Sequence, residues 1–179
     1  MIQLREYDNS DFDRGAPRWK EAAWIVVKIF FFLNPFPWPS QLRAALLRLF
    51  GARIGERATI RSGVNVTFPW RIEMGNDVWL GEEVVLLSLA PITIENDVCI
   101  SQQAFLCTGS HNFRQRAFDL VTLAITIRQG SWIAAQAFIA PGVEIGAGCL
   151  ISAGSVVLDS VPARSLVRGN PGAVVKALE

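Results

Sequence analysis

The sequence predicts an all-β protein: a parallel β-helix of about five hexapeptide coils, with an N-terminal helical or irregular cap and one excursion loop. The first observation is an aliphatic residue at every sixth position, and six of these follow without a shift: Ile127, Ile133, Ile139, Ile145, Ile151 and Val157. The second is a small or β-branched residue four places after each of them. A period of six fits neither an α-helix nor a regular strand, and it is typical of short strands joined by tight turns.

The same period extends upstream, which sets the predicted β-helix domain at residues 54–161. Three further sets of three aliphatic residues begin at Ile54, Met74 and Ile94. Three hexapeptides close one triangular coil, and coils stack about 4.8 Å apart through hydrogen bonds between parallel strands. One coil cannot bury its apolar face alone, so the stacked coils share one core. Four turn glycines are expected to have positive φ angles: Gly55, Gly75, Gly81 and Gly146.

One excursion interrupts the count between the third and fourth coils. It is the segment 112–126, with the sequence NFRQRAFDLVTLAIT. A long insertion in a compact repeat is usually functional or disordered. His111, the only histidine in the chain, lies at the first edge of this loop. After the last coil, residues 162–179 are expected to form a C-terminal tail.

Residues 1–53 do not repeat and are predicted to cap the open end of the coil stack. Prolines 35, 37 and 39 exclude regular structure before Ser40, which can cap a helix that Gly51 ends. Arg43 and Arg48 fall outside the expected apolar stripe of this helix, which contains Leu42, Ala45, Leu46, Leu49 and Phe50. A compatible alternative is an interfacial membrane contact with aromatic side chains at headgroup depth: Trp19, Trp24, Phe30, Phe31, Phe32 and Trp38.

Composition excludes several classes of protein. The chain has 179 residues, which fits one main domain. It is 51% hydrophobic and 18% charged, which excludes a disordered chain. Its net charge of +1 gives no basic surface for binding nucleic acid. Three cysteines without CxxC spacing indicate a reducing compartment. The apolar stretch 22–33 is shorter than the roughly 20 residues that span a bilayer. We expect a cytoplasmic protein, with contact at the inner face of the membrane left open.

Four segments resemble the hexapeptide-repeat O-acetyltransferases: the hexapeptide tract, FLCTGSH, IGAGCLISAGSVV and the ending VRGNPGAVV. The resemblance covers about residues 35–176 and is closest to the colanic-acid-biosynthesis branch of bacterial exopolysaccharide clusters. It implies a left-handed helix, a homotrimer with active sites between subunits, and acetyl-CoA as cosubstrate. The implied acceptor is a sugar hydroxyl of an exopolysaccharide or cell-surface glycan, free or lipid-linked. Handedness comes from the resemblance alone, because right-handed crossovers are the general rule.

The resemblance also assigns the residues of the acceptor side. His111 occupies the catalytic position, and imidazole suits a general base because its pKa lies near working pH. Ser88 and Asn112 are expected to bind the acceptor. We expect direct attack of the acceptor hydroxyl on the thioester. A covalent acyl-enzyme is disfavoured, because Cys149 fills a core position and Cys107 has no second histidine to activate it.

The donor site is expected along the last two coils. Trp132 would flank the acetyl group or the pantetheine arm. Three small residues would let the donor approach the backbone: Ala135, Ala153 and Gly154. Arg168 and Lys176 are candidate contacts to the CoA phosphates, and Ala173 stands where relatives commonly place arginine.

Two other functions compete with acetyl transfer. A γ-class carbonic anhydrase has the same β-helix but needs three histidines around zinc, so one histidine excludes it and no metal is expected. A non-catalytic scaffold or interaction protein that keeps the fold stays open, because Ser88 and Ala173 depart from the family pattern.

Overall fold

The computed structural model describes residues 2–179 and shows a left-handed parallel β-helix of about six turns, preceded by two α-helices. We call its three flat sides faces A, B and C. Face A contains Arg53–Ile54, Ile72–Met74, Ile92–Ile94, Ile125–Ile127 and Glu144–Ile145. Face B contains Thr59–Ile60, Trp79–Leu80, Cys99–Ile100, Trp132–Ile133, Leu150–Ile151 and Ser165–Arg168, with Ala173–Ala177 antiparallel at its end. Face C contains Asn65–Val66, Val85–Leu87, Phe105–Cys107, Phe138–Ile139 and Val156–Val157. The predicted fold class is confirmed.

The period-six residues form the core, as predicted. On face B, five of them stack above one another with no exposed surface: Ile60, Leu80, Ile100, Ile133 and Ile151. The compact residues four places later are also buried beside the corners, and they include Val64, Val84, Ala104 and Ala137. Each inward position therefore repeats in register from coil to coil, and the aliphatic columns make one continuous core.

The boundaries differ from the prediction at both ends of the helix. The first strand begins at Arg53, and five complete coils are followed by a sixth that is only partly closed. The predicted tail 162–179 instead adds Ser165–Arg168 to face B in parallel, and Ala173–Ala177 folds back against it. This hairpin covers the end of face B with paired backbone groups, which an unstructured tail would not do.

The four turn glycines do not have the predicted positive φ angles. A Cβ atom on Gly55 would lie 2.5 Å from the carbonyl carbon of Gly75 in the next coil, so a side chain is excluded by close stacking. The left-handed backbone occurs instead at neighbouring corner positions, several of which carry side chains. Asp77 and Asp97 are two examples in successive coils, each with a φ of 58°. Asparagine and aspartate tolerate this conformation better than most residues.

The cap contains helix α1 (Arg18–Phe31) and helix α2 (Ser40–Leu49). Helix α2 closes the first coil with Ala44 and Leu47, so the predicted cap is present, but its buried stripe is rotated from the predicted one. Leu49 is 76% exposed, whereas Arg43 is only 3% exposed. Ser40 does not cap the helix with its hydroxyl, which pairs with the backbone of Ile60.

The Arg43 guanidinium is buried at the junction of the cap and the first coil, where it is surrounded by backbone carbonyl groups. It donates to four carbonyl oxygens, those of Phe31, Phe36, Trp38 and Ile60, over 2.8–3.2 Å. Proline-rich segments leave carbonyl groups unpaired, since proline has no N–H group to extend a regular ladder. The arginine satisfies these carbonyls in a place where water has little access.

The aromatic residues that were expected at a membrane surface include some that are buried and some that are exposed. Trp24 and Phe32 are fully buried, and the Trp24 indole donates to the Val66 carbonyl oxygen over 2.9 Å, so these two pack on the first coil instead. Trp19 and Phe30 remain 71% and 60% exposed. Neither α-helix within residues 2–179 is both long and apolar enough to cross a bilayer.

The excursion is an ordered hairpin between the third coil and the fourth. Gly109–His111 pairs in antiparallel fashion with Leu120–Thr122. Ile125 is completely buried on face A, so the excursion occupies residues 109–124 and not 112–126. Its position at the edge between faces C and A determines where His111 lies.

Candidate active site

His111 is held in one tautomer by the excursion hairpin. Its Nδ1 lies 2.8 Å from the carbonyl oxygen of Phe118. A carbonyl oxygen only accepts hydrogen bonds, so Nδ1 must carry a proton, and in the neutral imidazole Nε2 then keeps its lone pair. Within residues 2–179, Nε2 has no hydrogen-bond partner. This is the arrangement that a general base requires.

Two aromatic rings enclose the imidazole. The Phe118 ring stacks on His111 with centroids 4.2 Å apart and an angle of 2° between planes. Tyr7 meets it from the N-terminal segment in an edge-on contact, with centroids 5.5 Å apart. Phe118 has a φ of 54°, which a bulky residue rarely adopts. Such strain occurs at functional sites, and here the strained residue supplies both the carbonyl and the ring that fix His111.

Of the two residues expected to bind the acceptor, only Asn112 is placed near His111 and partly exposed. Its backbone N–H donates to Asp119, and its side-chain oxygen accepts from the backbone of Arg114 over 3.1 Å. Ser88 is fully buried, and its hydroxyl both accepts from and donates to the backbone of Phe68, over 2.8 and 3.0 Å. The expectation for Ser88 is therefore corrected: its side chain holds the turn of the preceding coil and has no surface for an acceptor.

The expected donor residues lie together along the edge between faces B and C. Trp132 is 49% exposed on face B, and its indole donates to the Ser101 hydroxyl over 2.8 Å. One coil stacks on the next where the Gly154 backbone donates to the carbonyl of Ala135. Ala153 is exposed beside Gly154, at which an added Cβ atom would meet nothing within 4 Å. We call Trp132, Ala135, Ala153 and Gly154 the donor strip; it is open and lined by small side chains.

The cationic candidates occupy the hairpin that follows. Arg168 ends its strand at the same edge as the donor strip and is exposed. Ala173 is its direct partner in the antiparallel pair, so Arg168 places a cation beside the position where the family arginine is missing. Lys176 is exposed opposite Leu166, further from that edge.

Cys107 and Cys149, the two cysteines considered as nucleophiles, are not placed to form a covalent intermediate. Cys107 and Cys149 are 8% and 2% exposed. The Cys149 thiol donates to the carbonyl of Pro162, and burial raises the pKa of this thiol, which keeps it neutral. Among residues 2–179, no three His, Cys, Asp or Glu side chains are grouped so that they could hold a metal ion.

One chain does not bring His111 and the donor strip together. His111 belongs to the edge between faces C and A, whereas the donor strip follows the edge between faces B and C. Five residues of extended chain cross face C, so the two edges are about 16 Å apart. A site that used both His111 and the donor strip would therefore need a second subunit.

Comparison with known proteins identifies the family. Residues 124–159 match the bacterial transferase hexapeptide model of six repeats. Over 167 residues, 91% of this chain and 90% of the relative, the chain is 40% identical to WcaF of Escherichia coli, a candidate colanic acid biosynthesis acetyltransferase. It is 25% identical to galactoside O-acetyltransferase of Escherichia coli, over 82% of this chain and 74% of the relative.

A solved structure agrees with these sequence relatives. A hexapeptide-repeat acetyltransferase of Vibrio cholerae, in complex with acetyl-CoA, superposes with a TM-score of 0.77 and 29% identity over 89% of this chain and 86% of the other. The chain belongs to the hexapeptide-repeat acetyltransferase family, as its motifs predicted, and it is an acyltransferase.

Proposed function

We propose that this protein transfers the acetyl group of acetyl-CoA to a sugar hydroxyl during synthesis of a bacterial exopolysaccharide or cell-surface glycan. The observation that carries the proposal is the Nδ1–H bond from His111 to the Phe118 carbonyl, which leaves Nε2 free to accept a proton. The acetyl-CoA bound to the Vibrio relative supports the donor. The names of the Escherichia relatives support a sugar acceptor and a role in exopolysaccharide synthesis.

The reaction is a direct transfer with His111 as general base. The acceptor hydroxyl gives its proton to Nε2 while its oxygen attacks the thioester carbonyl carbon. The new C–O bond forms, the C–S bond breaks, and the proton on Nε2 passes to the departing thiolate of CoA. The Phe118 carbonyl stabilises the transient imidazolium, because it accepts the Nδ1 proton throughout. The buried, neutral Cys149 takes no part.

The three faces support assembly as a homotrimer. Outward side chains on face A are polar, and they include an exposed ion pair between Arg53 and Glu73. Outward side chains on face B are mostly apolar: Trp79, Cys99, Trp132, Leu150 and Leu166. Those on face C are apolar above the first coil: Val85, Phe105, Phe138 and Val156. Two different apolar faces suit a head-to-tail contact, which closes into a ring under cyclic symmetry.

Such a contact completes the active site. The site between subunits that the resemblance implies would set His111 of one subunit opposite the donor strip of its neighbour. The test is to mix two variants that are each expected to be inactive. His111→Ala removes the proposed base, and the bulky side chain of Ala153→Trp blocks the donor strip. When equal amounts of the two variants are dissociated and reassembled together, about a quarter of the sites combine an intact His111 from one subunit with an intact donor strip from its neighbour. Activity near that fraction supports the shared site, and no recovery after proven mixing contradicts it.

Contact with the inner face of the membrane is the second part of the proposal. Helix α1 and the turn after it expose a row of apolar side chains: Trp19, Ile25, Val26, Ile29, Phe30, Leu33 and Phe36. The helix also carries the exposed cation Arg18, whereas its one acid, Glu21, is paired with Arg14 over 2.8 Å. Apolar and cationic groups together favour an anionic lipid surface, where a lipid-linked acceptor would be found.

Vesicle sedimentation tests the membrane contact separately from catalysis. We expect binding to vesicles of phosphatidylethanolamine and phosphatidylglycerol, and loss of binding in Ile29→Ser with Phe30→Ser. Leu158→Ser is the matched control, because Leu158 is 52% exposed at the far end of the solenoid. Equal binding by all three proteins would contradict the contact and leave acetyl transfer untouched.

Acetyl transfer is tested by calorimetric titration with acetyl-CoA, followed by thiol release with a panel of sugar acceptors. Wild-type protein and His111→Ala should both bind acetyl-CoA in the range of about 1 μM to 1 mM, typical of enzyme substrates. Only the wild type should release CoA thiol when an acceptor is added. Absence of binding in both would favour a non-catalytic scaffold, the alternative that Ala173 supports.

A further inference from the structure

The N-terminal segment is fastened along the same edge from which the His111 hairpin emerges. We call residues 2–16 the strap. At its end near α1, the Trp70 indole donates to the Arg14 carbonyl over 2.7 Å. At its start, the Gln3 backbone N–H donates to the Arg116 carbonyl in the hairpin over 2.8 Å. The strap therefore joins the first coil to the hairpin that follows the third.

The fastening at the hairpin is close to His111. A short 3-10 turn, Leu4–Glu6, directs Glu6 to the Arg116 guanidinium at 3.1 Å. Tyr7 follows at once, and its half-buried ring meets the imidazole at 61°, with centroids 5.5 Å apart. The strap thus reaches the proposed base from more than a hundred positions away in the sequence.

One hydrogen bond is not enough to fix the direction of an imidazole. The bond from Nδ1 to the Phe118 carbonyl restrains one atom, and the Phe118 ring restrains one face. Tyr7 adds a third contact to the His111 ring, with centroids 5.5 Å apart. Without Tyr7, water could reach the ring and compete for the Nδ1 proton. The direction in which Nε2 points then depends on all three contacts.

We propose that Tyr7 is a positioning residue for His111, so that the strap is part of the active site. Its catalytic consequence rests on the proposed acetyl transfer, but its effect on the imidazole does not. The phenyl ring makes the contact, so Tyr7→Phe should behave as wild type, whereas Tyr7→Ala should lose the restraint. Small displacements of a catalytic group cost large factors in rate, and we expect kcat to fall by about tenfold or more in Tyr7→Ala.

The single histidine makes the imidazole directly observable. Protein labelled with ¹⁵N-histidine gives one imidazole spin system, whose two nitrogen shifts report which nitrogen carries the proton. With the imidazole neutral, the wild type should show the Nδ1–H tautomer, and Tyr7→Ala should show a mixture. Leu4→Ala is the control, because Leu4 is 69% exposed in the same strap. An unchanged tautomer in Tyr7→Ala overturns the proposal.

Kinetics supply the second readout. In Tyr7→Ala, kcat should fall while the KM for acetyl-CoA stays constant, because the donor strip lies on another edge. Tyr7→Phe should restore kcat, and equal losses in Tyr7→Phe and Tyr7→Ala would overturn the role of the ring. If the wild type transfers no acetyl group but the tautomer shifts as expected, acetyl transfer is refuted and the positioning contact stands.

Discussion

Arg43→Met tests whether the cap is held to the coils by one buried guanidinium. Arg43 is 3% exposed and donates to four carbonyl oxygens. Burial, and then the positive charge of Arg61, lower the pKa of Arg43, so its cation is held by neutral carbonyls alone. A net value near 1 kcal/mol per hydrogen bond gives a loss of about 4 kcal/mol, since methionine keeps most of the apolar volume but pairs with none of the carbonyls.

The assay is thermal unfolding followed by circular dichroism at one fixed protein concentration. For a chain of this length, 1 kcal/mol corresponds to about 2–4 °C, so Arg43→Met should lower the Tm by about 8–16 °C. Arg53→Met is the matched control, because its ion pair with Glu73 is exposed and such pairs add little to stability. A shift for Arg43→Met no larger than that for Arg53→Met would refute the reasoning.

Three further predictions concern the site and the coil stacking. His111→Ala should lower kcat by about 10²–10⁴ in the thiol-release assay, the usual contribution of a general base, with Tm changed by only a few degrees. Trp132→Ala should raise the KM for acetyl-CoA about tenfold or more with kcat changed less, because a bound substrate arm loses one aromatic wall, whereas Trp19→Ala should change neither constant. Gly146→Ala should lower the Tm more than Gly130→Ala does, because only at Gly146 would a Cβ atom strike the backbone of the next coil.

The solenoid could be predicted from the sequence because one physical constraint repeats at every coil. Each inward position is sealed by the coils above and below it, so a polar residue there would be buried without a partner. The columns of Ile60, Leu80 and Ile100 show this requirement directly. A period of six survives in the sequence wherever that constraint holds, and it is lost at the hairpin, whose bounds were accordingly misplaced.

The prediction of which face of helix α2 is buried was wrong for a local reason. The apolar pattern of α2 placed Leu49 inside and Arg43 outside, whereas the structure has the reverse. Hydrophobic periodicity assumes that a helix buries apolar side chains only. Next to a proline-rich turn, a buried guanidinium that satisfies four carbonyls is more favourable than an aliphatic side chain that satisfies none.

The prediction of positive φ angles at the four turn glycines was wrong because the sequence does not distinguish two uses of glycine. Positive φ and close backbone approach both select glycine. At Gly55 the next coil is too close for a side chain, whereas Gly154 has a φ of 68° and open space around it. Only the stacking geometry separates the two cases.

The partners of His111 had no sequence signal. Phe118 lies seven residues away in a loop without periodicity, and its role depends on a φ of 54° that its residue type does not suggest. Tyr7 lies in a segment that neither repeats nor resembles the family tract. His111 itself could be proposed as the base from the sequence, because it is the one histidine of the chain and it ends the FLCTGSH motif.

The placement of these groups explains why a rigid solenoid would use a second copy of itself. Reacting atoms must approach within about 3–3.5 Å, but the edges that carry His111 and the donor strip are separated by the whole of face C. A stack of coils with a continuous core cannot bend enough to close that distance. In the shared site proposed above, the hairpin and the strap would fix the imidazole on one subunit, and a second rigid copy would supply the donor strip without any change of fold.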